Sequence, residues 1–318
     1  MPASSTTASS PITSRTAAAD RRVAEAAVLV VMLFWSANFI VVKSALDVLP
    51  PVGFTFLRFV LASVTLFALL RWREGSVRLA RRDLVPICGL GALGFGIYQI
   101  LWTTGLTTVP AGDSALIIAS TPVLVAFLAV VAGSDHLTAA KLVGGITSFA
   151  KVAIVIGSGT GLTIGSEIAG EAITLLAALC WSVYLAFGAP FLGRYSPLRA
   201  TAWATLAGTI VLAPLALSQL SASGLTSIPP DVIGAVLYSG FLAAGVSNVI
   251  VQNGVKVIGP TRTSAYQFLV PALAVVLAAV FLAEPIRFGQ VVGGVVIVAG
   301  VLITRGTFPI RAGSTSRA

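Results

Sequence analysis

Residues Thr103–Gly157 occur twice in this chain. Shifted by 149 positions, the stretch lies on Gln252–Gly306 without a gap. Pro122 falls on Pro271, Asp135 on Glu284 and Gly144-Gly145 on Gly293-Gly294, with thirteen identities in fifty-five positions. Upstream, the same offset pairs Gly91 with Gly240 and Gly96 with Gly245. Further back it shortens to 146, where Trp35-Ser36 meets Trp181-Ser182 and Pro51 meets Pro197. A chain built this way has to fold as two related halves, and on an apolar background such duplication is the pattern of a transporter made of structural repeats.

The background is apolar. Hydrophobic residues make up 57% of the chain and charged residues 10%, against about 25% charged in soluble proteins. Apolar runs long enough to cross a bilayer recur along nearly the whole length, which predicts an all-α integral membrane protein rather than a barrel of short alternating strands. The formal charge of +9 is accounted for by basic residues in one set of membrane loops, and no nucleic-acid partner is expected. Cys88 and Cys180 lie inside apolar runs and outside any metal-ligand spacing, and His136 is the single histidine. No metal, cofactor or disulfide framework is expected.

Residues 1–22 read as a disordered Ser/Thr/Ala-rich tail, 23–159 as the first repeat, 168–306 as the second and 307–318 as a second tail. The run after Arg21-Arg22 is too long for a signal segment and is read as a retained anchor. Ten spans are expected, near 24–46, 52–71, 84–107, 112–133, 140–157, 170–192, 198–219, 231–253, 262–282 and 288–304. Sixteen of the twenty basic residues fall on one side of these spans, so both termini are expected in the cytoplasm of a cell whose inner membrane holds the chain. Five spans per repeat is an odd number. The two five-helix repeats must then run through the membrane in opposite senses.

The run Phe34-Trp35-Ser36-Ala37-Asn38-Phe39, with Lys43, Pro50-Pro51 and Leu57-Arg58-Phe59 after it, resembles the first two spans of the EamA family in the drug/metabolite transporter (DMT) superfamily. Pro122, Pro271 and the Glu284 turn before Gly293 resemble its repeat signature. The likeness covers residues 24–306 and implies an exporter or permease for small metabolites. Its cavity would be built from spans 1, 3, 4, 6, 8 and 9. Two departures stand out: Asp135-His136 occupies the place of the family's Glu-containing turn, and Lys151 stands where the second repeat has Gly300.

Polar and aromatic residues inside spans are the candidates for a site. Trp35 and Asn38 share a helical face, as do their mates Trp181 and Tyr184; Gln99 shares one with Trp102, and Asn248 with Gln252. Gln267 lies four residues before Pro271. An amide in hydrocarbon costs several kcal/mol unless paired or wet, so these nine residues are expected to face the interior. Some of them could simply hydrogen-bond between helices at about 1 kcal/mol each. Pro122 and Pro271 are candidate hinges, with static kinks as the alternative. Arg58 and Lys43 lie near the outer ends of their spans, where snorkelling and a site role fit equally, and snorkelling is favoured for Lys151. No carboxylate occupies the centre of a span. The motifs of an intramembrane enzyme are missing: there is no G-x-S-x-G, no HExxH and no pair of carboxylates within spans.

The expected function is a secondary transporter moving amino acids or amphipathic organic compounds by alternating access. An organophosphate or nucleotide-sugar exchanger is the alternative, and an enzyme ranks below both. The expected partners are a small-molecule substrate and the lipid bilayer, and a homodimer is allowed.

Overall fold

The computed structural model describes residues 11–121, 124–125, 127–128, 164–223, 228–258, 263, 266–267, 269–288, 290–292 and 295. Pro122, Asp135-His136, Lys151 and the whole span 140–157 lie outside the described residues, and so does the side chain of Gln252. Every regular element among the described residues is helical. The helices are α1 (Pro11–Leu46), α2 (Pro51–Glu74), α3 (Arg81–Leu106), α4 (Ala111–Ile118), α5 (Ile164–Gly188), α6 (Pro197–Ala222), α7 (230–258) and α8 (Leu269–Phe281). Six of them, α1, α2, α3, α5, α6 and α7, are long and apolar enough to cross a bilayer. The fold is all-α and multi-pass.

One expectation is corrected at the start of the chain. Residues 11–22, read above as disordered tail, are the first turns of α1. Extending a helix already nucleated by an apolar run needs only one new hydrogen bond per residue fixed. The alanines there favour helix, and Arg21 pairs with Glu25 one turn on, at 3.3 Å.

The helix ends follow local chemistry. Pro51 and Pro197 open α2 and α6 with the preset φ of a first helical position. Gly75, at φ +68°, closes α2 by turning its N–H back to the Arg71 carbonyl at 3.1 Å. The N-termini of α2 and α4 are capped by distant side chains. Gln219 Oε1 accepts from Val52 N at 3.0 Å and Gly53 N at 3.4 Å. Glu284 accepts from Ala111 N at 3.0 Å and Gly112 N at 3.5 Å, which places a carboxylate on the positive end of α4.

Packing between the two halves comes in exchanged pairs. A methyl built on Gly91 of α3 would stand 2.5 Å from the Ala204 carbonyl oxygen of α6. One on Gly240 of α7 would stand 2.5 Å from the Arg58 carbonyl oxygen of α2. Gly240 lies 149 positions after Gly91, and Ala204 lies 146 after Arg58. In the same way Gly96 meets Val211 and Gly245 meets Thr65, both at 3.0 Å from the built methyl. Ser36 Oγ donates to the Val270 carbonyl at 3.2 Å, and its mate Ser182 donates to the Thr121 carbonyl at 3.4 Å. Ser63 Oγ lies 3.0 Å from Thr209 Oγ1, and these two residues are each other's mates. Close approach of small residues is what holds helices together in lipid, where no hydrophobic force acts between them.

The mates α2 and α6 lie antiparallel. Gly53 at the start of α2 faces Leu220 near the end of α6, and Glu74 at the end of α2 pairs with Arg199 at the start of α6, at 2.8 Å. Charges tie the halves at both ends. At the Arg-rich end, Glu74 holds Arg199 and Ser196, while Asp83 holds Arg194 at 3.0 Å and accepts from Tyr195 Oη at 2.7 Å. At the opposite end Lys43 pairs with Glu284 at 3.2 Å and Arg287 lies 3.7 Å from Asp113.

Two helices are interrupted by wide turns at corresponding places. Residues Ala92–Ile97 of α3 and Tyr238–Val246 of α7 form π-helical segments. The first maps onto the last six residues of the second at the 149 offset. Such segments widen the helix by a residue per turn and recur at functional sites.

Candidate functional site

The group that organises the interior is Arg58. It sits on α2 where Gly240 of the α7 π segment touches its backbone, and its side chain is 3% exposed. The guanidinium therefore does not snorkel. Nη1 donates to Ser239 Oγ at 2.9 Å, Nη2 donates to Gln99 Oε1, and Ser239 Oγ in turn donates to Asn38 Oδ1 at 2.6 Å. The Nε is buried and has no hydrogen-bond partner among the described residues. Four helices thus converge on one cation: α1 through Asn38, α2 through Arg58, α3 through Gln99 and α7 through Ser239.

These four residues lie seven to nine positions from Leu46, Pro51, Leu106 and Pro230, the helix ends away from the Arg-rich loops. At 1.5 Å per residue that is about 10–14 Å of depth, close to half of the ~30 Å hydrocarbon layer. A charge at such depth costs about 2.5–3.5 kcal/mol on insertion scales. Among the described residues no carboxylate pairs with it. The compensation is two charged hydrogen bonds to neutral oxygens and three aromatic rings. Arg58 Cζ stands 5.1 Å from the Phe59 centroid, 5.4 Å from Trp102 and 5.8 Å from Phe54. Those contacts fix the fork without neutralising it.

Beside the cation runs a ladder of rings. Phe39 meets Trp102 edge-on at 5.4 Å, Trp102 stacks on Tyr98 at 6.3 Å, Tyr98 lies 5.4 Å from Trp181, and Trp181 stacks on Tyr184 at 5.1 Å. Phe95, inside the α3 π segment, closes on both Trp181 and Tyr184 at 5.3 and 5.1 Å. Trp102 Nε1 donates to Ser114 Oγ at 3.1 Å, so its polar edge is satisfied and its face is left to the interior.

Of the nine residues expected from sequence, the structure brings Asn38, Gln99 and Trp102 to Arg58, and joins Trp181 and Tyr184 to them through Tyr98. Trp35 is held apart: its Nε1 donates to the Ala243 carbonyl at 2.9 Å, and its ring packs near Val31 and Ile250. Asn248 donates to Ala244 one turn back on its own helix, at 2.6 Å. Gln267 is exposed in the turn before α8. Pro271 is buried at the third position of α8, and the carbonyl of Gln267, one turn earlier, accepts from Val270 N at 3.1 Å. Sequence reasoning missed Ser239, Tyr98 and Phe95. Ser239 stands directly before Gly240, a repeat position, and that adjacency was the available signal.

Membrane helices in duplicated halves, with a polar and aromatic cluster at hydrocarbon depth, mark the class of helical membrane transporters. The sequence pattern of the EamA-like transporter family matches residues 22–157 and again residues 168–306. The chain belongs to that family, and its activity is transport, not catalysis. An uncharacterized transporter of Archaeoglobus fulgidus is 29% identical over 274 residues, covering 86% of this chain and 94% of its own. A probable terminal-alkyne amino-acid exporter of Streptantibioticus cattleyicolor is 30% identical over 277 residues, covering 87% of this chain and 91% of its own. One solved crystal structure superposes with a TM-score of 0.64 at 18% identity, over 92% of this chain and 98% of the other. That likeness is one of fold.

Proposed function

We propose that this protein is a secondary transporter exporting amino acids and related amphipathic metabolites by alternating access. In this reading ten spans form two inverted five-helix repeats in the cell membrane, with both termini in the cytoplasm. The observation that carries it is the convergence of Asn38, Arg58, Gln99 and Ser239 from four helices at one depth, beside the ladder from Phe39 to Tyr184. Hydrogen-bonding groups next to aromatic walls suit a small molecule with a polar head and an apolar side chain.

The exchanged contacts and the antiparallel mates α2 and α6 support the inverted repeats. The ion pairs at the two ends support alternating access, because each end must release its pairs for the cluster to open there. The relative named as a probable amino-acid exporter supports both the substrate class and the direction. An organophosphate exchanger would want several cations at the cluster. Among the described residues only Arg58 is there.

The test is uptake of a labelled metabolite panel into proteoliposomes of purified protein, with and without a pH gradient. Amino acids with apolar side chains should be transported above protein-free vesicles. Transport of sugar phosphates alone would overturn the substrate class, and transport of nothing in the panel would overturn the reading.

A further inference from the structure

We infer that Arg58 is the counter-charge for the carboxylate of the transported substrate; this rests on the reading of the chain as a transporter of amino acids and related metabolites. The residue is 3% exposed, and its Nε reaches no acceptor among the described residues. Nη1 and Nη2 are held by the neutral oxygens of Ser239 and Gln99. These acceptors aim the guanidinium, and among the described residues no carboxylate neutralises its charge.

Packing does not call for an arginine at this position. The duplicated architecture places Ala204 at the equivalent point of α6, and there the close approach of Gly91 is made to backbone, as the approach of Gly240 is made to the Arg58 carbonyl. One half of the molecule fills the position with a methyl group. The guanidinium of the other half serves something besides the helix contact.

The geometry points to a carboxylate. A guanidinium offers its Nε and the neighbouring Nη as a planar pair of donors that matches the two oxygens of a carboxylate. In Arg58 the Nε of that edge is unused. The rings of Phe59 and Trp102, at 5.1 and 5.4 Å from Cζ, place apolar side chains directly beside the charge. A single cation balances one carboxylate, whereas a phosphate dianion would stay half-neutralised at this cluster.

The experiment is competition for uptake of labelled L-propargylglycine, a terminal-alkyne amino acid, into proteoliposomes. The competitors are the unlabelled acid, its carboxamide and inorganic phosphate. Wild-type protein should prefer the acid over the amide by tenfold or more, with phosphate competing no better than the amide. Arg58→Gln should reduce the acid-to-amide ratio below threefold, whereas Arg58→Lys should keep the preference at weaker affinity. A wild-type ratio within threefold, or an unchanged ratio in Arg58→Gln, would overturn the inference. Phosphate competing as well as the acid would replace the carboxylate by a phosphate group and overturn it too. Should Arg58→Gln fail to insert, the wild-type ratio and Arg58→Lys decide the matter. Absence of uptake of every amino acid in the panel above by wild type defeats the amino-acid reading itself, whereas uptake without acid preference defeats only the role of Arg58.

Discussion

Gly240→Ala is the substitution that tests the packing of the two halves most directly. The added methyl would stand 2.5 Å from the Arg58 carbonyl oxygen and 3.1 Å from Leu61 Cβ. A carbon–oxygen contact needs about 3.3 Å, so α2 and α7 must part by most of an ångström. Backbone has no rotamer through which to yield, which places the cost near the upper end of overpacking, ~3 kcal/mol. Alanine returns at most ~1 kcal/mol of helix propensity, leaving a net loss of about 2 kcal/mol. Gly234, one and a half turns earlier on α7, has nothing within 4 Å of a built methyl. Gly234→Ala should therefore be neutral or stabilising, by up to ~1 kcal/mol. Gly91 meets the Ala204 carbonyl oxygen at the same 2.5 Å, so Gly91→Ala should lose as much as Gly240→Ala. The assay is reversible unfolding in mixed micelles across the three variants. Stability of Gly240→Ala equal to that of Gly234→Ala would refute the close approach. A costly Gly240→Ala with a neutral Gly91→Ala would refute the correspondence between the halves.

Other outcomes follow from the same contacts. Glu284→Ala removes two hydrogen bonds to the α4 N-terminus and the Lys43 pair, and should cost about 1.5–3 kcal/mol in the same unfolding assay. Glu284→Gln keeps an acceptor and should cost roughly half of that; equal losses would show that only the charge matters. Trp181→Ala and Tyr98→Ala should couple by about 0.5–1.5 kcal/mol in a stability cycle, because their rings lie 5.4 Å apart. Trp35, tied to Ala243, should be additive with Trp181 within about 0.5 kcal/mol, and strong coupling of that pair without substrate would contradict their separation. In a variant lacking Cys88 and Cys180, Ser76→Cys and Ser314→Cys should resist an impermeant thiol reagent in intact cells while Ser223→Cys reacts. The reverse pattern would invert the proposed orientation.

Much of this architecture was legible because duplication leaves its mark wherever the two halves share a constraint. Gly91 and Gly240 both survive as glycine since each meets a carbonyl oxygen where a methyl does not fit. Ser36 and Ser182 both answer a carbonyl of the facing helix. Arg58 was harder. Its mate is Ala204, so the offset says nothing about it, and periodicity cannot decide whether a long cation near a helix end turns outward or inward. Tyr98 and Phe95 escaped for the same reason, their mates being Ser247 and Ala244. For Asn248, spacing fixes a face but not a partner. Its amide found the carbonyl one turn back, an acceptor every helix offers.

The contact between Ser63 and Thr209 differs in kind from the other exchanged pairs. Each of those is matched by a second contact elsewhere, so a motion that trades the roles of the two halves would break one while making the other. A residue that touches its own counterpart has nothing to trade with. In the alternating-access motion proposed above, the Ser63–Thr209 contact would be the fulcrum, the point where the two states are locally indistinguishable. A covalent bridge placed there should leave transport intact, while bridges at Lys43–Glu284 or Glu74–Arg199 should stop it.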